Sequence, residues 1–481
     1  MIGRFSMARS LLFSLFLILI CSTLISCAVN PVTGEKEFML VSEEEEITIG
    51  KNAAPSLNWD FGGEYKDAEL KSYLEGVVKD IWQVSERSHL PMRFVIQNTS
   101  IPNAFALPGY VAITRGLLSE LENEAQFTAV MGHEAGHVMA RHTAKRISVG
   151  TLQQIGIALG GVALEGGKGT DEILTLASIG SNLLLLKYDR NQEIQADRLG
   201  IKYMAKLGYE PSEALNAHER LEAAVSRYLK REDAKRKGDT FLDELFSTHP
   251  RTGVRRHEIE AMIRELSPFI FKGDGRFKEH FQSMTARIRE ANQSYFIYDE
   301  AVSLYEKGKF QDAEERLQKS ISVNSEQAPF YNLMGMIRIK QKDFYESERN
   351  FKKALSIDAD YQPSYYGLGI TYYLKGNYSS AADKFKRSLE LYPSHPPSLF
   401  GIGRSYFQLK EWKKAILYLM DFAQTSPKHP EVHGMLGISH ENVSDIGAAI
   451  HEYELQVRIA PNTKLGRYAG GRLAVLKSPI R

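Results

Sequence analysis

The second half of the 481-residue chain repeats a pattern every 34 residues. Rows of 34 residues that begin at Ser294, Ala328, Gln362, Pro396 and Pro430 align without a gap. Small residues stand at the eighth and twentieth positions of each row, and a large residue stands at the twenty-fourth. In row order these residues are Ala301, Gly335, Gly369, Gly403 and Gly437, then Ala313, Ser347, Ala381, Ala415 and Ala449, then Leu317, Phe351, Phe385, Leu419 and Tyr453. A repeat of this length buries its apolar face only against its neighbours, so the period predicts a solenoid.

The 34-residue pattern resembles the tetratricopeptide repeat, a helix-turn-helix unit. The resemblance implies an all-α solenoid of five repeats over residues 294–463, followed by a C-terminal cap or tail at residues 464–481. The concave face of such a solenoid usually binds a peptide or a partner domain. Aromatic residues suited to that role, or alternatively to packing between helices, are Tyr365, Tyr372, Tyr373 and Tyr406.

Length and composition are those of a globular protein with more than one domain. A chain of this length exceeds what one hydrophobic core ordinarily serves. The sequence is 43% hydrophobic and 25% charged, and its formal net charge is +1. Nucleic-acid binding normally needs a basic excess, so no nucleic acid is expected among its partners.

The N-terminus has the pattern of a bacterial lipoprotein signal. Arg4 and Arg9 precede the apolar stretch LLFSLFLILI, which is shorter than the roughly 20 residues of a spanning helix. The stretch LISC, which ends at Cys27, resembles the lipobox, in which the cysteine is diacylated and becomes the first residue after cleavage. We therefore expect a signal peptide at residues 1–26 and a tether at residues 27–41. The alternatives are a plain secretory signal and an uncleaved anchor.

The residue after Cys27 indicates where such a lipoprotein would be sorted. This residue is Ala28 and not aspartate, which resembles an outer-membrane address. The expected location is the periplasmic side of the outer membrane, where the lipid anchor would hold the chain. Cleavage would remove Cys21 and leave Cys27 alone, so no intramolecular disulfide is expected.

Residues 42–266 have the pattern of a mixed α+β domain. Ser42 followed by four glutamates is typical of a helix start. We expect an amphipathic helix at residues 70–84, strands at residues 92–98 and 109–116, and mainly helices after them. Residues 267–293 would form a connecting helix or linker. The predicted fold class is therefore mainly α, with an α+β domain followed by all-α repeats.

The stretch MGHEAGHVMARH carries candidate metal ligands. On a helix, His133 and His137 lie one turn apart on the same face and can direct two imidazole nitrogens at one Zn²⁺ ion. Glu134 beside them can take a proton from the attacking water and deliver it to the leaving amine. His142 is expected to have a structural role. The alternative is an ordinary helix that happens to carry histidines.

The stretch YDRNQEIQADRLG supplies a candidate third ligand. Catalytic zinc takes three protein ligands and a water. Glu193 would be the third ligand, and Asp197 on the same helical face would orient a ligand histidine through its other ring nitrogen. Ala196 and Gly200 would allow close helix packing. The alternative is that the two acids form a solvated charged face.

The stretch NAFALPGYVAITRGLL predicts a strand before the metal helix. A protease holds its substrate extended, and an exposed strand edge does so through main-chain hydrogen bonds. We expect this edge to comprise Gly109, Tyr110, Val111, Ala112 and Ile113. The alternative is a plain internal strand.

The stretches NAFALPG, HEAGHVMARH, EIQAD and STHPRTGVRR, in this order, resemble the M48 family of zinc metallopeptidases. The resemblance covers residues 42–266 and implies a zincin-like domain of the gluzincin type with one zinc ion per chain. It implies that His133, His137 and Glu193 are the ligands and that Glu134 is the catalytic acid and base. The sequence has PGY where the family usually has PGG, so Tyr110 departs from the family pattern at the strand and not at the metal site.

Three further features near these motifs indicate a function less specifically than the motifs do. The resemblance implies a histidine near the site, His249, which would stabilise the oxyanion, occupy the open position of the zinc or be structural. Arg255 and Arg256 follow, and the sequence assigns a role to neither. The apolar, glycine-rich residues 150–187 would form a mobile lid over the site.

The combination of signal, peptidase-like domain and repeats resembles envelope quality-control proteases of the M48 family. It implies a zinc-dependent endopeptidase of the periplasm that degrades misfolded or stalled outer-membrane proteins. The repeats would recruit unfolded outer-membrane polypeptides or the β-barrel assembly machinery. One alternative is a repeat-based adaptor or chaperone with a blocked or vestigial metal site. Another is a protease of general specificity whose repeats serve self-association.

Overall fold

The structure, a computed structural model, describes residues 27–152, 187–230, 253–266 and 268–478. The chain divides into two compact units between Asn292 and Gln293. Among the described residues, no helix combines the length and the apolar composition that crossing a membrane requires. The predicted signal peptide at residues 1–26 lies outside the described residues, as do residues 153–186 of the predicted lid.

A short hairpin opens the described part of the first unit. Strand β1 (Cys27–Val29) pairs antiparallel with β2 (Lys36–Phe38), and helix α1 follows at Glu43–Asp60, capped by Ser42. The prediction of a tether at residues 27–41 is wrong for this stretch. The side chains of Met39 and Val41, between the hairpin and helix α1, are buried in the hydrophobic core. They therefore anchor the hairpin against the rest of the unit.

A three-stranded sheet follows helix α2 (Ala68–Gln83). Its strands are β3 (Phe94–Gln97), β4 (Ala104–Leu107) and β5 (Tyr110–Thr114), in the order β3-β5-β4. Strand β3 pairs parallel with β5, and β4 pairs antiparallel with it. All residues of the three strands are buried, which explains their nearly continuous apolar sequences.

The predicted edge strand is the central strand of this sheet. Strand β5, which holds Tyr110, Val111, Ala112 and Ile113, is hydrogen-bonded to a neighbour on both sides. Gly109 belongs to the turn before it, where its φ of +88° favours glycine. The edge-strand prediction is therefore wrong: β3 and β4 lie at the two edges of the described sheet, and β4 begins at Ala104, within the stretch NAF.

Helices form the rest of the described secondary structure of the first unit. They are α3 (Arg115–Leu118), α4 (Glu124–Met139), α5 (residues 142–152), α6 (Arg190–Leu207), α7 (Glu213–Lys230), α8 (Gly253–Leu266) and α9 (Lys278–Met284). Helices α4 and α6 approach closely through small residues. A Cβ atom at Gly200 would lie 2.9 Å from the main-chain nitrogen of His133, and one at Gly136 would lie 3.0 Å from the Cα atom of Ala196. The predicted close packing at Ala196 and Gly200 is confirmed.

The second unit is all-α in its described residues. Helix α10 (Ala286–Glu306) runs across the boundary between the units. The helices that follow are α11 (Phe310–Val323), α12 (Ala328–Lys340), α13 (Phe344–Ile357), α14 (Gln362–Leu374), α15 (Tyr378–Leu391), α16 (Pro396–Gln408), α17 (Trp412–Thr425), α18 (Val432–Asn442), α19 (Ile446–Ile459) and α20 (Lys464–Leu476). The second helices of the five rows begin at equivalent positions, 34 residues apart. The predicted fold class, mainly α with an α+β unit before all-α repeats, is confirmed.

The fixed positions of the repeat are the contacts between its two helices. A Cβ atom at Gly369 would lie 2.6 Å from the ring of Phe385, and one at Gly437 would lie 2.5 Å from the ring of Tyr453. The small residues at position twenty are all fully buried. The glycines therefore leave the space that the large residue of the same repeat fills.

The four tyrosines singled out in the repeats are half-buried. The hydroxyl of Tyr372 donates to Glu348 over 3.0 Å, and that of Tyr365 donates to the carbonyl of Ala359 over 2.9 Å. The ring of Tyr373 lies 4.8 Å from the guanidinium of Arg404. Tyr406 stacks on a neighbouring tyrosine. Each tyrosine thus packs within the solenoid and still presents part of its surface.

Candidate metal centre

The centre of the site lies on helix α4. Asn123 caps this helix through its side chain, and the helical spacing places His133 and His137 one turn apart. Their Nε2 atoms lie 3.1 Å from each other. The two imidazole nitrogens therefore face one point, as the HExxH spacing predicts.

Helix α6 brings the third donor to the same point. The two carboxylate oxygens of Glu193 lie 3.7 Å from Nε2 of His133 and 3.4 Å from Nε2 of His137. One donor atom from each residue lies within 4.8 Å of the others. The side chains of His137 and Glu193 are 1% and 0% exposed, whereas that of His133 is 12% exposed. The site therefore opens to its surroundings beside His133.

Asp197 fixes the orientation of His133. Its Oδ1 atom lies 2.8 Å from Nδ1 of His133. Burial raises the pKa of Asp197, but His133 and the hydrogen bonds from His218 and Arg255 lower that pKa well below its ordinary value. Because the ionised carboxylate can only accept, Nδ1 of His133 carries a hydrogen, and Nε2 is the ring nitrogen that is available to a metal ion.

Arg255, on helix α8, pairs with both Asp197 and Glu193. Its Nε and Nη2 atoms donate to Asp197, each over 2.8 Å, and its Nη1 atom lies 2.6 Å from Oε2 of Glu193. Glu193, Asp197 and Arg255 are all buried. Buried acids without such a partner would tend to take up protons, so Arg255 helps to keep Asp197 ionised and places a positive charge beside Glu193.

His142 fixes the orientation of His137. Helix α4 ends at Met139, and Arg141 takes a φ of +58°, which turns the chain back toward the site. Nε2 of His142 donates to the side-chain oxygen of Gln195 over 2.9 Å, and its Nδ1 lies 2.9 Å from Nδ1 of His137. Burial lowers the pKa of His142 to about 4, so the ring is neutral and its Nδ1 accepts. His137 therefore donates from Nδ1 and keeps a lone pair on Nε2.

These hydrogen bonds leave a donor set that fits zinc. Two imidazole nitrogens and one carboxylate point at a common position, and burial holds the pKa of His137 well below its ordinary value. The two facing lone pairs would repel each other without a cation between them. Two histidines and a glutamate form one of the ligand sets of catalytic zinc, with an open position left for water.

Glu134 lies next to the ligands on the wall of a cavity. The side chain is 6% exposed. The cavity is open to solvent on one side, and its other polar lining residues are Asn103, His133, Asp197, His218 and Arg255. A carboxylate at this position can exchange a proton with a group bound in the cavity.

The structure brings together the predicted ligands and Asp197, and it adds residues that the sequence reasoning left out. His218 lies with Nε2 3.4 Å from Oδ1 of Asp197. The ring of Tyr188 stacks on that of His137, with centroids 3.8 Å apart, and its hydroxyl lies 3.1 Å from Oγ1 of Thr143. Tyr188 opens the stretch that carries Glu193, but no spacing rule connects His218 to the motif.

The remaining residues that the sequence analysis considered for the site lie either away from it or outside the described residues. Arg256 is exposed and pairs with Glu219 and Glu260, outside the site. His249 lies outside the described residues. The side chain of Cys27 does too, although its backbone is part of β1.

Comparisons with known families agree with the motifs and the repeats. Residues 66–263 match the model of Peptidase family M48. Residues 326–394 and 366–430 match two models of the tetratricopeptide repeat. The predicted combination of a peptidase domain and C-terminal repeats is confirmed.

The chain is similar to several curated proteases. Mitochondrial metalloendopeptidase OMA1 of Arabidopsis thaliana is 30% identical over 204 residues, which are 42% of this chain and 35% of that protein. The protein of the same name from Schizosaccharomyces pombe is 29% identical over 49% of this chain and 66% of its own length. The Beta-barrel assembly-enhancing protease of Escherichia coli K12 is 24% identical over 51% of this chain and 50% of its own length. The matches thus span about a third to two thirds of these relatives.

Solved structures resemble part of the chain. The TPR protein YrrB, described as having an unusual peptide-binding site, gives a TM-score of 0.33 at 18% identity, over 36% of this chain and 90% of that one. MamA gives a TM-score of 0.31 at 17% identity, over 33% of this chain and 92% of that one.

Proposed function

Because residues 66–263 form a Peptidase M48 domain and tetratricopeptide repeats follow it, we propose that the protein is a zinc-dependent endopeptidase that acts on unfolded polypeptides. The observation that carries the proposal is the convergence of His133, His137 and Glu193 on one point beside Glu134. The three side chains would hold one zinc ion per chain. The chemistry that a bound zinc ion supplies is Lewis acidity, which lowers the pKa of water and polarises a carbonyl group.

Glu134 would perform the proton transfers of peptide hydrolysis. Its carboxylate would take the proton of the attacking water and then deliver it to the amine that leaves. His133 and His137 would keep their orientation through Asp197 and His142 during these steps. His249 would stabilise the oxyanion or restrain the resting enzyme, as the family resemblance implies.

Strand β4, at one edge of the sheet, would hold the substrate. In the β4–β5 pair, the amide of Thr114 donates to the carbonyl of Asn103, so the alternation of an antiparallel ladder directs the main-chain groups of Ala104 and Ala106 away from β5. Asn103 and Ala104 also line the cavity. An extended peptide paired with β4 would therefore pass beside His133 and Glu134.

The proposal also includes a location in the bacterial envelope and a class of substrate proteins. The protein would be attached by a lipid at Cys27 to the periplasmic side of the outer membrane, and its repeats would recruit misfolded outer-membrane proteins or their assembly machinery. The half-exposed aromatic residues of the repeats support this recruitment, since such residues suit apolar segments of unfolded chains. The Cys27→Ser variant should move from the membrane fraction to the soluble fraction, whereas Cys21→Ser should stay in the membrane fraction.

The catalytic proposal is tested with Glu134→Gln in the full-length chain. Digestion of unfolded casein and of an unfolded outer-membrane protein should fall at least a hundredfold, since general acid-base catalysis contributes about 10²–10⁴-fold. Glu69→Gln, at an exposed position on helix α2, should digest both proteins at the wild-type rate. Equal digestion by all three chains would contradict the assignment of Glu134. Protection of the unfolded protein without cleavage by any of them would favour an adaptor or chaperone.

A further inference from the structure

The hairpin of β1 and β2 is held against the helices of the metal centre. Asn30, which is fully buried beside the hairpin turn, donates from Nδ2 to the carbonyl of Ala140 over 3.4 Å. Ala140 directly follows helix α4, which carries two of the candidate metal ligands. The amide of Leu40, just after β2, donates to Oγ of Ser148 on helix α5 over 2.8 Å. The hairpin therefore runs along helix α5 as part of the unit, and so does the backbone of Cys27 at its start.

Side chains along β2 and the residues after it alternate between the two sides of the hairpin. Glu37, Met39 and Val41 face the unit, where the first pairs with a lysine of helix α5 and the other two are buried. Phe38 and Leu40 therefore face away from the unit. Phe38 is partly exposed and Leu40 is exposed. The hairpin thus presents apolar side chains on the side that the unit does not bury.

Apolar residues of β1 and helix α5 extend this surface. Val29 lies on the same side of the hairpin as Phe38, because the register of the antiparallel pair places both side chains on one face. Val149 and Leu152 lie three residues apart on helix α5, so their side chains are neighbours. The end of the helix that carries them receives the hydrogen bond from Leu40. These residues form the hairpin face, and all but Phe38 are 37–54% exposed: Val29, Phe38, Leu40, Val149 and Leu152. An exposed apolar surface of this kind marks contact with another apolar surface.

The position of Cys27 indicates what covers the hairpin face. In the proposed function this residue carries the lipid, and in the hairpin it is paired with Phe38. Paired Cα atoms of an antiparallel sheet lie about 4.5–5.5 Å apart, so the lipid would be attached within the hairpin itself and not at the end of a linker. The acyl chains would enter the bilayer beside the hairpin face. Its exposed apolar side chains would then leave water for the boundary between headgroups and acyl chains.

We propose that the hairpin face lies against the lipid bilayer, so that the peptidase unit is held on the membrane in one orientation. The inference rests on the proposed function for the lipid at Cys27, and on the contacts of the hairpin for the orientation. Because a helix rises 1.5 Å per residue, Val149 lies about 10 Å along helix α5 from His142, which contacts the ligand His137. The metal centre would therefore act on segments of outer-membrane proteins that lie close to the bilayer surface.

The first test measures contact with lipid at single positions of the full-length, lipid-bearing chain. Leu40→Cys and Val149→Cys are labelled with an environment-sensitive fluorophore in vesicles of phosphatidylethanolamine and phosphatidylglycerol. The emission should shift to the blue and be quenched about twofold or more by phospholipids with a spin label near the headgroup, since an interfacial surface enters this boundary. The control is Glu279→Cys, at an exposed position beside the start of helix α4, about 24 Å from the end that holds the hairpin. The control should show neither effect, and a lack of quenching at all three positions would overturn the proposal.

The second test asks whether the apolar side chains themselves make the contact. The fluorophore is placed at Leu152→Cys, and Leu40→Glu is combined with Val149→Glu. The combined variant should stay in the membrane fraction but lose most of the quenching, because carboxylates do not enter the apolar part of the bilayer. Its urea midpoint should equal that of the chain without the two glutamates, since both positions are exposed. A clearly lower midpoint would show that another part of the chain covers the face, and this result would overturn the proposal.

Mass spectrometry of the N-terminus separates the face from the anchor. Cys27 that carries a lipid, together with a lack of quenching at Leu40→Cys and Val149→Cys, would overturn the inference and leave the proposed anchor intact. Cys27 without a lipid would refute the proposed anchor. Quenching at the same two positions in that chain would still support the contact between the hairpin face and the bilayer.

Discussion

Arg255 donates two hydrogen bonds, each 2.8 Å long, to the carboxylate of Asp197. The same carboxylate lies 2.8 Å from Nδ1 of His133. One acid therefore connects a ligand histidine on helix α4 to a cation on helix α8. The relationship explains why an aspartate four residues after a ligand is needed: it orients His133 and holds the Arg255 charge beside Glu193.

The first prediction concerns this aspartate. Asp197→Asn should weaken zinc binding by about 10–100-fold, because loss of an outer-shell partner leaves the ligand histidine poorly oriented. Competition with a chromogenic chelator measures the change. Glu265→Gln removes an exposed acid that pairs with Arg198, and it should leave zinc affinity unchanged. Wild-type affinity in Asp197→Asn would show that Asp197 does not act on the metal site.

The second prediction concerns His142. His142→Phe should also lower zinc affinity by about 10–100-fold, because His137 loses the acceptor that holds its hydrogen on Nδ1. Isothermal titration with zinc measures the loss, and circular dichroism checks that the fold persists. The exposed His257→Phe serves as the control. If both variants bound zinc equally well, the role of the His142 ring would be refuted.

The third prediction concerns pH and the repeat unit. Burial lowers the pKa of His395 to about 4, so between pH 6.5 and 4 the unfolded chain binds a proton that the folded chain does not. Stability must fall as the pH falls through this window, by on the order of 1–3 kcal/mol for this residue. Urea denaturation of the full-length chain at pH 7.5 and pH 4.5 should show a smaller pH dependence in His395→Gln. The exposed His451→Gln should behave like the wild type; a wild-type pH dependence in His395→Gln would contradict the assignment.

The fourth prediction concerns the glycines of the repeat. Gly369→Ala should lower the free energy of unfolding by about 1–3 kcal/mol, because its Cβ atom would lie 2.6 Å from the ring of Phe385. Gly471→Ala should raise it by up to about 1 kcal/mol, because this helical glycine has no atom within 4 Å of such a Cβ. Chemical denaturation gives both values. If the free energy of unfolding changed in the same direction in both variants, the contact with Phe385 would not explain why position 369 requires glycine.

The parts of the fold that repeat or follow a local spacing could be predicted from the sequence. The 34-residue period specifies the helix pairs, since each helix repeats the same contacts between positions such as Gly335 and Phe351. The spacing of His133 and His137 specifies two donors on one helical face. Glu193 and Asp197 could be found because they share that spacing on the partner helix.

Features that depend on distant parts of the chain could not be predicted. The stretch AFALPGYVAIT contains the turn at Gly109 between β4 and β5. Which of these two strands lies at an edge of the sheet depends on the pairing of β3, from an earlier part of the chain, with β5. His142 reaches His137 only because Arg141 adopts a left-handed conformation. His218 belongs to a helix with no motif, and only the packing of helix α7 against α4 brings it to Asp197.

The central claim is that His133, His137 and Glu193 form one zinc site and that Glu134 is not a ligand. Zinc content per chain, measured by native mass spectrometry of the purified full-length protein, tests it most directly. The account predicts about one zinc ion in the wild type and in Glu134→Gln, and a loss of tightly bound zinc in Glu193→Gln, with all three chains folded. Full zinc occupancy in Glu193→Gln, or its loss in Glu134→Gln, would contradict the account.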